Sequence, residues 1–444
     1  MLRFGVLLVG YNSIFGYERT GAIHGSEAYD VYAQNILTTG VYGREAGVPD
    51  AQIPPLYSYA VAVIYALLGR SGLAIGLFHT ALDVTSIMLI VAITRKLFAK
   101  SHHAEWTAWF AGLFFAAYPY LIFQNLTLID TPFFMTLFCS FTYVLILLRE
   151  QPTYTRKTAL IAILGGLILG ITTLNRPILP FFAVFAALWF LFRLSFWQSI
   201  ARLLPVALIS VVCIVPWIVR NYAVYDEFVM ISLTAGSNLY QGWNPDVIPF
   251  LEQGYDPQWT APDPEQIQND PYSPAGDRER SQLAIQYIQG NPQDALYLAW
   301  LKFQTHWSID IFPRLNPTVG TEERENYQGD AIRETSETGE IELGGLPVGD
   351  PIDLYSTGFF DQLGRLLQRY YFGALFFLAL VGIFLSRHLW QDVSLLWFTQ
   401  ISMTIVYVLF HPSTRYRAPS DPFLFIFSAF ALVHLVQWVL HRRR

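Results

Sequence analysis

Two sets of ionisable residues stand out by type and spacing. The first is acidic. In His24-Gly25-Ser26-Glu27-Ala28-Tyr29-Asp30 the carboxylates of Glu27 and Asp30 are three positions apart and share a face if the segment is helical, and Asp130 stands in Thr127-Leu128-Ile129-Asp130-Thr131-Pro132. A carboxylate within reach of a hydroxyl can serve as general base. The same residues could instead be helix caps, with Ser26 and Glu27 opening one helix and Asp130 standing just ahead of a first-turn proline. The second set is cationic: Arg176 in Asn175-Arg176-Pro177, Arg220 and Asn221 in Pro216-Trp217-Ile218-Val219-Arg220-Asn221-Tyr222, and Arg415 and Arg417 on either side of Tyr416 in His411-Pro412-Ser413-Thr414-Arg415-Tyr416-Arg417-Ala418-Pro419. A single outer arginine is usually a snorkelling anchor. Four at span ends point to an anionic ligand such as a lipid phosphate, which guanidinium binds through paired N–H donors.

The elements that must position these residues cross a membrane. Of 444 residues, 53% are hydrophobic and only 14% charged, where a soluble domain carries about 25% charge. Apolar runs of spanning length lie at 74–94, 104–123, 131–148, 158–175, 177–193, 203–219, 369–386, 392–411 and 420–440, and the shorter run Phe4–Tyr17 is taken as a retained first span. The expected fold is thus an all-α polytopic membrane protein of about ten transmembrane helices. With the N-terminus inside, Arg3, Arg95, Lys96, Lys100, Arg149, Arg156, Lys157, Arg193, Arg202, Arg387 and the terminal arginines all fall on the cytoplasmic side. The two chemical sets fall on the other side.

Charge is segregated as well. Residues 221–369 hold 23 acidic and 8 basic side chains, net −15, and the remainder holds 11 and 20, net +9. This argues against nucleic acid as a partner and for one large acidic extramembrane domain. The expected organisation is a membrane domain over 1–220, with a first outer loop at 18–73, an extracytoplasmic α/loop domain over 221–368, and a C-terminal membrane domain over 369–444. Pro54–Leu68, with Tyr57, Tyr59 and Tyr65, reads as a helix in the outer interface, and Ser281–Trp307 reads as two surface helices interrupted at Gly290-Asn291-Pro292. Pro245–Asp277 and Thr321–Asp353 read as loops. Cys139 and Cys213 lie in apolar runs and imply no disulfide framework. No metal cluster is read, and His24 and His306 are taken as surface or interface histidines. A transporter or flippase of a lipid-linked substrate remains a rival reading, although no internal repeat and no polar cluster on the cytoplasmic side supports it.

At these residues the sequence resembles the membrane glycosyltransferases of the GT-C superfamily, in particular the bacterial relatives of protein mannosyltransferases and the aminoarabinose transferase acting on lipid A. The resemblance runs along most of the chain: Tyr29-Asp30, Ala33, Asn35, Leu37, Gly40 and Pro54-Pro55-Leu56-Tyr57; Asn175-Arg176-Pro177; Pro216-Trp217 with Arg220-Asn221-Tyr222; Gly236-Ser237-Asn238-Leu239 with Gly242-Trp243-Asn244-Pro245; the Ala284 to Lys302 helix pair; and Arg415-Tyr416-Arg417 with Pro419. It implies a polyprenyl-phosphate-linked sugar as donor, a glycan, lipid or protein as acceptor, inversion at the anomeric carbon, no cofactor, and an active site on the outer face of the plasma (inner) membrane. A polysaccharide polymerase or ligase would use the same arginine logic. In such enzymes an Asp commonly stands where this chain has Ser26. Glu27 matches the second acid and is the candidate base, with Asp30 as alternative and Asp130 as the further acidic residue of the site. Arg176, Arg220, Asn221, Arg415, Tyr416, Arg417, Tyr29 and Tyr57 are the candidate ligands of lipid phosphate or sugar.

Overall fold

In the computed structural model, helices account for nearly all regular structure. It describes residues 2–13, 27–260, 266–270, 272–318, 334–335, 341–342, 349–353 and 359–442, with side chains over 2–9, 28–258, 260, 266–270, 272–314 and 362–442. His24 and Ser26 lie outside the described residues, and so does the side chain of Glu27. In chain order the helices are α1 (Leu2–Ser13), α2 (Glu27–Thr39), α3 (Pro55–Leu68), α4 (Gly72–Leu97), α5 (Ala104–Ala116), α6 (Pro119–Gln124), α7 (Thr131–Glu150), α8 (Arg156–Asn175), α9 (Leu179–Leu191) and α10 (Phe196–Tyr225). They continue as α11 (Ala235–Tyr240), α12 (Val247–Gln253), α13 (Pro274–Gly290), α14 (Pro292–His306), α15 (Phe359–Leu385), α16 (Trp390–Leu409), α17 (Thr414–Arg417) and α18 (Asp421–Arg442). Four strands of two to five residues, β1 (Leu315–Thr318), β2 (Glu334–Thr335), β3 (Ile341–Glu342) and β4 (Gly349–Asp353), form two antiparallel pairs, β1 with β4 and β2 with β3.

Among the described residues, six helical stretches are long and apolar enough to cross a membrane: Gly72–Leu97, Thr131–Glu150, Arg156–Asn175, Phe196–Tyr225, Gln362–Leu409 and Asp421–Arg442. The protein is a multi-pass membrane protein. The stretch Gln362–Leu409 has 48 residues. At about 1.5 Å per residue it would measure about 72 Å, more than twice the hydrocarbon thickness, so the 3₁₀ turn Ser386–Leu389 must separate two passes. Length alone does not reach ten. The expected span 104–123 is broken after Ala116, because Pro119 cannot extend the preceding helix and opens α6 instead. The expected span 177–193 is the 13-residue α9.

Two compact units make up the chain, one comprising 1–231, 371–403 and 418–444, the other 232–370 and 404–417. The second unit begins at 232, where the expected extramembrane domain begins at 221, and it includes the segment carrying Arg415 to Arg417.

In the first unit, helix direction is set by caps and by small residues. Thr155 and Ser195 open α8 and α10 with capping boxes. Glycines on α8 let α10 lie close: a Cβ on Gly166 would meet Ile209 Cβ at 2.6 Å, and one on Gly170 would meet Cys213 Cβ at 2.6 Å. The pairings rise together along both helices, so α8 and α10 run parallel. The chain must return between them, and α9 makes that return despite its length of about 20 Å.

Ion pairs confirm which helix ends share a level. Lys96 meets Glu150 at 2.7 Å, Lys100 meets Asp392 at 3.2 Å, Arg193 pairs with Asp392, Arg202 donates to the Gln151 carbonyl at 2.8 Å, and Arg149 donates to the Gln391 carbonyl at 2.8 Å. The expected sorting of basic residues to one end therefore holds for these loops. Arg3 is a correction. It is buried, paired with Asp83, and donates to the Phe115 carbonyl at 2.7 Å and the Ala116 carbonyl at 3.3 Å. Asp83 is 14 positions before Leu97, about 21 Å from the basic end, so Arg3 is held at depth by a carboxylate and by the unsatisfied last carbonyls of α5.

In the second unit, Tyr240, Trp243, Val247, Leu251, Ala284, Ala295, Leu298 and Phe312 form a buried core uniting α11 to α14. The two helices expected over Ser281–Trp307 are present as helices, with α13 beginning earlier, at Pro274, behind the Ser273 cap. Part of the expected loop 245–277 is the helix α12.

Candidate functional site

The first unit carries the acidic set. The side chain of Asp30 on α2 accepts from Tyr65 at 2.7 Å, from Arg70 Nη2 at 2.7 Å and Nε at 3.0 Å, and from Gln34 at 2.9 Å. Tyr65 closes α3 and Arg70 follows it, so this carboxylate ties α2 to α3. Ala33, Tyr57, Val61, Ala62, Tyr65, Ile75 and Leu128 fill the space between, with Tyr29 packed against them. Tyr29 sits edge-on to Tyr57 at 4.7 Å, and Tyr57 shares a 2.7 Å hydrogen bond with the buried His79. Burial, reinforced by Asp130 and Tyr29, pushes the Tyr57 phenol up, which keeps it neutral.

Asp130 precedes α7, but its side chain makes no cap bond. Its oxygens are held by Arg176, with Nη2 to Oδ1 at 2.6 Å and Nε on Oδ2, and Arg176 also reaches Thr131 Oγ1 at 3.1 Å. The carboxylate is 1% exposed, so a fork-to-fork ion pair replaces the expected cap. Arg176 is therefore committed to Asp130, which the sequence had placed across the site as a partner acid.

Arg220 is directed at backbone. It donates to the Tyr42 carbonyl at 2.8 Å and the Asp50 carbonyl at 2.5 Å, with its guanidinium 4.8 Å from the Trp217 ring. Asn221 is fully buried and donates to the Val229 carbonyl at 3.1 Å. Tyr225 accepts from the Ala51 N–H at 2.8 Å. These residues hold the loop 40–53 in place. Asp50 organises that loop from inside, accepting from Tyr32 at 2.5 Å and from the Arg44 N–H at 2.7 Å. Sequence reasoning passed over Asp50, whose only signal is a turn composition around Gly47 and Pro49.

The second unit carries the remaining cations. Arg417 is buried and donates to the carbonyls of His306 at 2.9 Å and Ser308 at 2.5 Å. Tyr416 stacks on Tyr407 at 5.0 Å, and His411 lies 5.3 Å from Tyr416. Lys302 is fully buried on α14, donating to the Val408 carbonyl at 3.1 Å with its ammonium 3.6 Å over the Trp243 ring. Arg415 is half-buried, and its charge acts on the buried Asp256. Burial pushes the Asp256 carboxyl up to about 6, against the opposing Gln258 N–H and Arg415. Burial also lowers Lys302 well below its usual value, takes His306 down to about 3 with help from Arg417, and takes His411 down to about 4 with help from Lys302. His306, expected as a surface or interface histidine, is thus a buried neutral imidazole. Two guanidinium groups, a lysine whose charge burial disfavours and two neutral histidines thus stand among the described residues of the second unit, a setting suited to an anion. Asp256 carried no motif by which the sequence would disclose it, and His411 stood only as the first residue of the stretch that holds Arg415 and Arg417. Lys302 was visible only as part of a helix pair.

Among the described residues, no group of three His, Cys, Asp or Glu side chains gathers as metal ligands. No protein-family model matches the sequence, and no curated protein matches it. Solved structures do match. The oligosaccharyltransferase of Archaeoglobus fulgidus, in complex with Zn and sulfate, is similar at a TM-score of 0.52 and 15% identity, over 100% of this chain and 50% of that one. The archaeal AglB in complex with an inhibitory peptide and a dolichol-phosphate is similar at a TM-score of 0.52 and 14% identity, over 100% and 51%. ArnT from Cupriavidus metallidurans bound to undecaprenyl phosphate matches at a TM-score of 0.40 and 13% identity, over 98% and 76%. The chain spans about half the length of the archaeal oligosaccharyltransferase. Over its full length this chain shares the fold of part of the archaeal oligosaccharyltransferase.

Proposed function

We propose that the protein is a glycosyltransferase that moves a sugar from a polyprenyl-phosphate-linked donor to a glycan, lipid or protein acceptor at the outer face of the plasma membrane, with inversion. The observation that carries this reading is the pair of guanidinium groups on α17, Arg417 held by the carbonyls of His306 and Ser308 and Arg415 acting on the charge-averse Asp256. It supplies fixed positive charge where a lipid phosphate would be held. The archaeal AglB, which shares the fold, was solved with a dolichol-phosphate.

In the proposed reaction a carboxylate takes the proton of the acceptor hydroxyl. The hydroxyl oxygen bonds the anomeric carbon from one face while the bond to the phosphate oxygen breaks on the other, and the lipid monophosphate leaves with the electron pair. The cationic cluster stabilises that charge as it grows, and the reading invokes no metal or cofactor. Asp30 and Asp130 already accept several strong hydrogen bonds each, so proton capture there competes with existing donors. Glu27 remains the base favoured by this reading, with Asp30 and Asp130 as positioning residues of the first loop and of α7. Arg176, Arg220 and Asn221 then shape the site and do not themselves grip phosphate.

The test is binding and turnover of a radiolabelled polyprenyl-phosphate sugar by purified wild type, Arg415→Ala and Glu27→Gln in membranes with candidate acceptors. Arg415→Ala is expected to weaken donor binding by about ten- to a hundredfold, the range for one charged hydrogen-bonding group. Glu27→Gln is expected to bind donor and lose transfer. Full activity of Glu27→Gln removes Glu27 as base, and absence of donor binding by folded wild type removes the transferase reading.

A further inference from the structure

At the basic end of the first unit, opposite the acidic set, a cavity of about 200 Å³ opens between the ends of α4, α7, α9 and α16. Liquid water takes about 30 Å³ per molecule, so the space holds a phosphate group with a few waters. Its charged lining is Lys96, Lys100, Arg149, Arg193, Glu150 and Asp392, net +2. The two carboxylates engage three of the four cations, Lys96 through Glu150, and Lys100 and Arg193 through Asp392.

Among the described residues, Arg149 makes no such pair. It is 6% exposed, its guanidinium is stacked 3.7 Å over the Trp189 ring, one N–H reaches the Gln391 carbonyl at 2.8 Å, and its Nε has no hydrogen-bond partner. Trp189 in turn donates to the Asp392 carbonyl at 3.1 Å, which fixes the platform under the guanidinium. A rigid, buried arginine with an unfilled donor and an excess of two positive charges is a built anion site. Trp197 and Trp390 are exposed at this same end, 75% and 43%, as aromatic residues are at headgroup level.

We infer that this cavity binds the phosphate of an anionic glycerophospholipid headgroup, with Arg149 as the central ligand and Lys100 and Arg193 at its mouth. The chemistry bound is a phosphate ester, and free inorganic phosphate is the other source of it. The site is independent of the proposed sugar transfer and stands or falls separately.

The experiment is a thermal-shift titration of the full chain in uncharged detergent at fixed ionic strength, with phosphatidylglycerol, phosphatidylcholine or inorganic phosphate. Phosphatidylglycerol is expected to give a saturable rise in melting temperature that phosphatidylcholine does not. The half-saturating amount should rise about tenfold or more in Arg193→Gln and in Lys100→Gln. Lys100 has a 63% exposed side chain, so that variant folds as wild type does. A saturable shift from inorganic phosphate that the same variants weaken keeps the site and assigns it to the free anion. Equal shifts by the two lipids, or a phosphatidylglycerol shift unchanged in both variants, overturns it.

Discussion

Replacing Asp256 by Asn should stabilise the second unit, and by an amount that depends on pH. The carboxyl is 6% exposed and burial raises it from 3.8 to about 6. A raised folded-state value means the folded protein holds the proton longer than the unfolded chain. The stability present at low pH is lost as pH rises through the interval from 3.8 to 6, and the loss is complete above it. From the two values the penalty is about 1 kcal/mol at pH 4.5 and about 3 kcal/mol at pH 7.5. Asn keeps the cap that Asp256 provides to the Gln258 N–H at 3.0 Å, because its side-chain oxygen accepts equally well. The variant should therefore gain about 2 kcal/mol more at pH 7.5 than at pH 4.5. His306 and His411, lowered to about 3 and about 4, act in the opposite sense, since their contribution is lost as pH falls below 6.5. They are common to both proteins and cancel in the comparison. The assay is tryptophan-fluorescence unfolding of wild type and variant in detergent at the two pH values. A variant that is destabilised at pH 7.5, or whose gain is larger at pH 4.5, would refute the electrostatic account of the cluster.

Two structural predictions join it. Asp130→Asn should cost about 3–5 kcal/mol, read as lost thermal stability, because it leaves Arg176 buried without its carboxylate; pairing it with Arg176→Gln should recover part of that loss, and a neutral single variant contradicts the buried-pair assignment. Gly166→Val should cost roughly 1–3 kcal/mol or more, since its Cβ would meet the Val206 carbonyl oxygen at 2.7 Å, whereas Gly364→Ala, where nothing lies within 4 Å, should be neutral or stabilising. Thermal scans that rank the two glycines the other way would contradict the close parallel packing of α8 and α10.

Much of the membrane architecture was legible in hydropathy and in the placement of Lys and Arg. The ends of α4, α7, α9 and α16 meet where the positive-inside reading puts them. What failed were inferences that needed partners. Arg3 looks like a flanking charge in one dimension, and only Asp83, eighty positions away, reveals it as buried. Asp130 before Thr131-Pro132 has the composition of an N-cap, yet Arg176 takes its oxygens. Arg220 looked like a phosphate ligand because its use, the carbonyls of Tyr42 and Asp50, carries no side-chain signature. Breaks such as the one after Ala116 are short-range effects of proline that an averaging window smooths away.

The 30-residue α10 has a consequence for how the protein responds to its lipid surroundings. Arg202 is fastened to the basic end through Gln151, and Arg220 is fastened to the loop 40–53. They are eighteen positions apart, about 27 Å along the axis, close to the thickness of the hydrocarbon layer. The helix is a measuring rod with a clasp at each end. A bilayer that is thicker or thinner than the rod strains the distal clasp, so the geometry of the first loop, and whatever chemistry it frames, is tuned to membrane thickness.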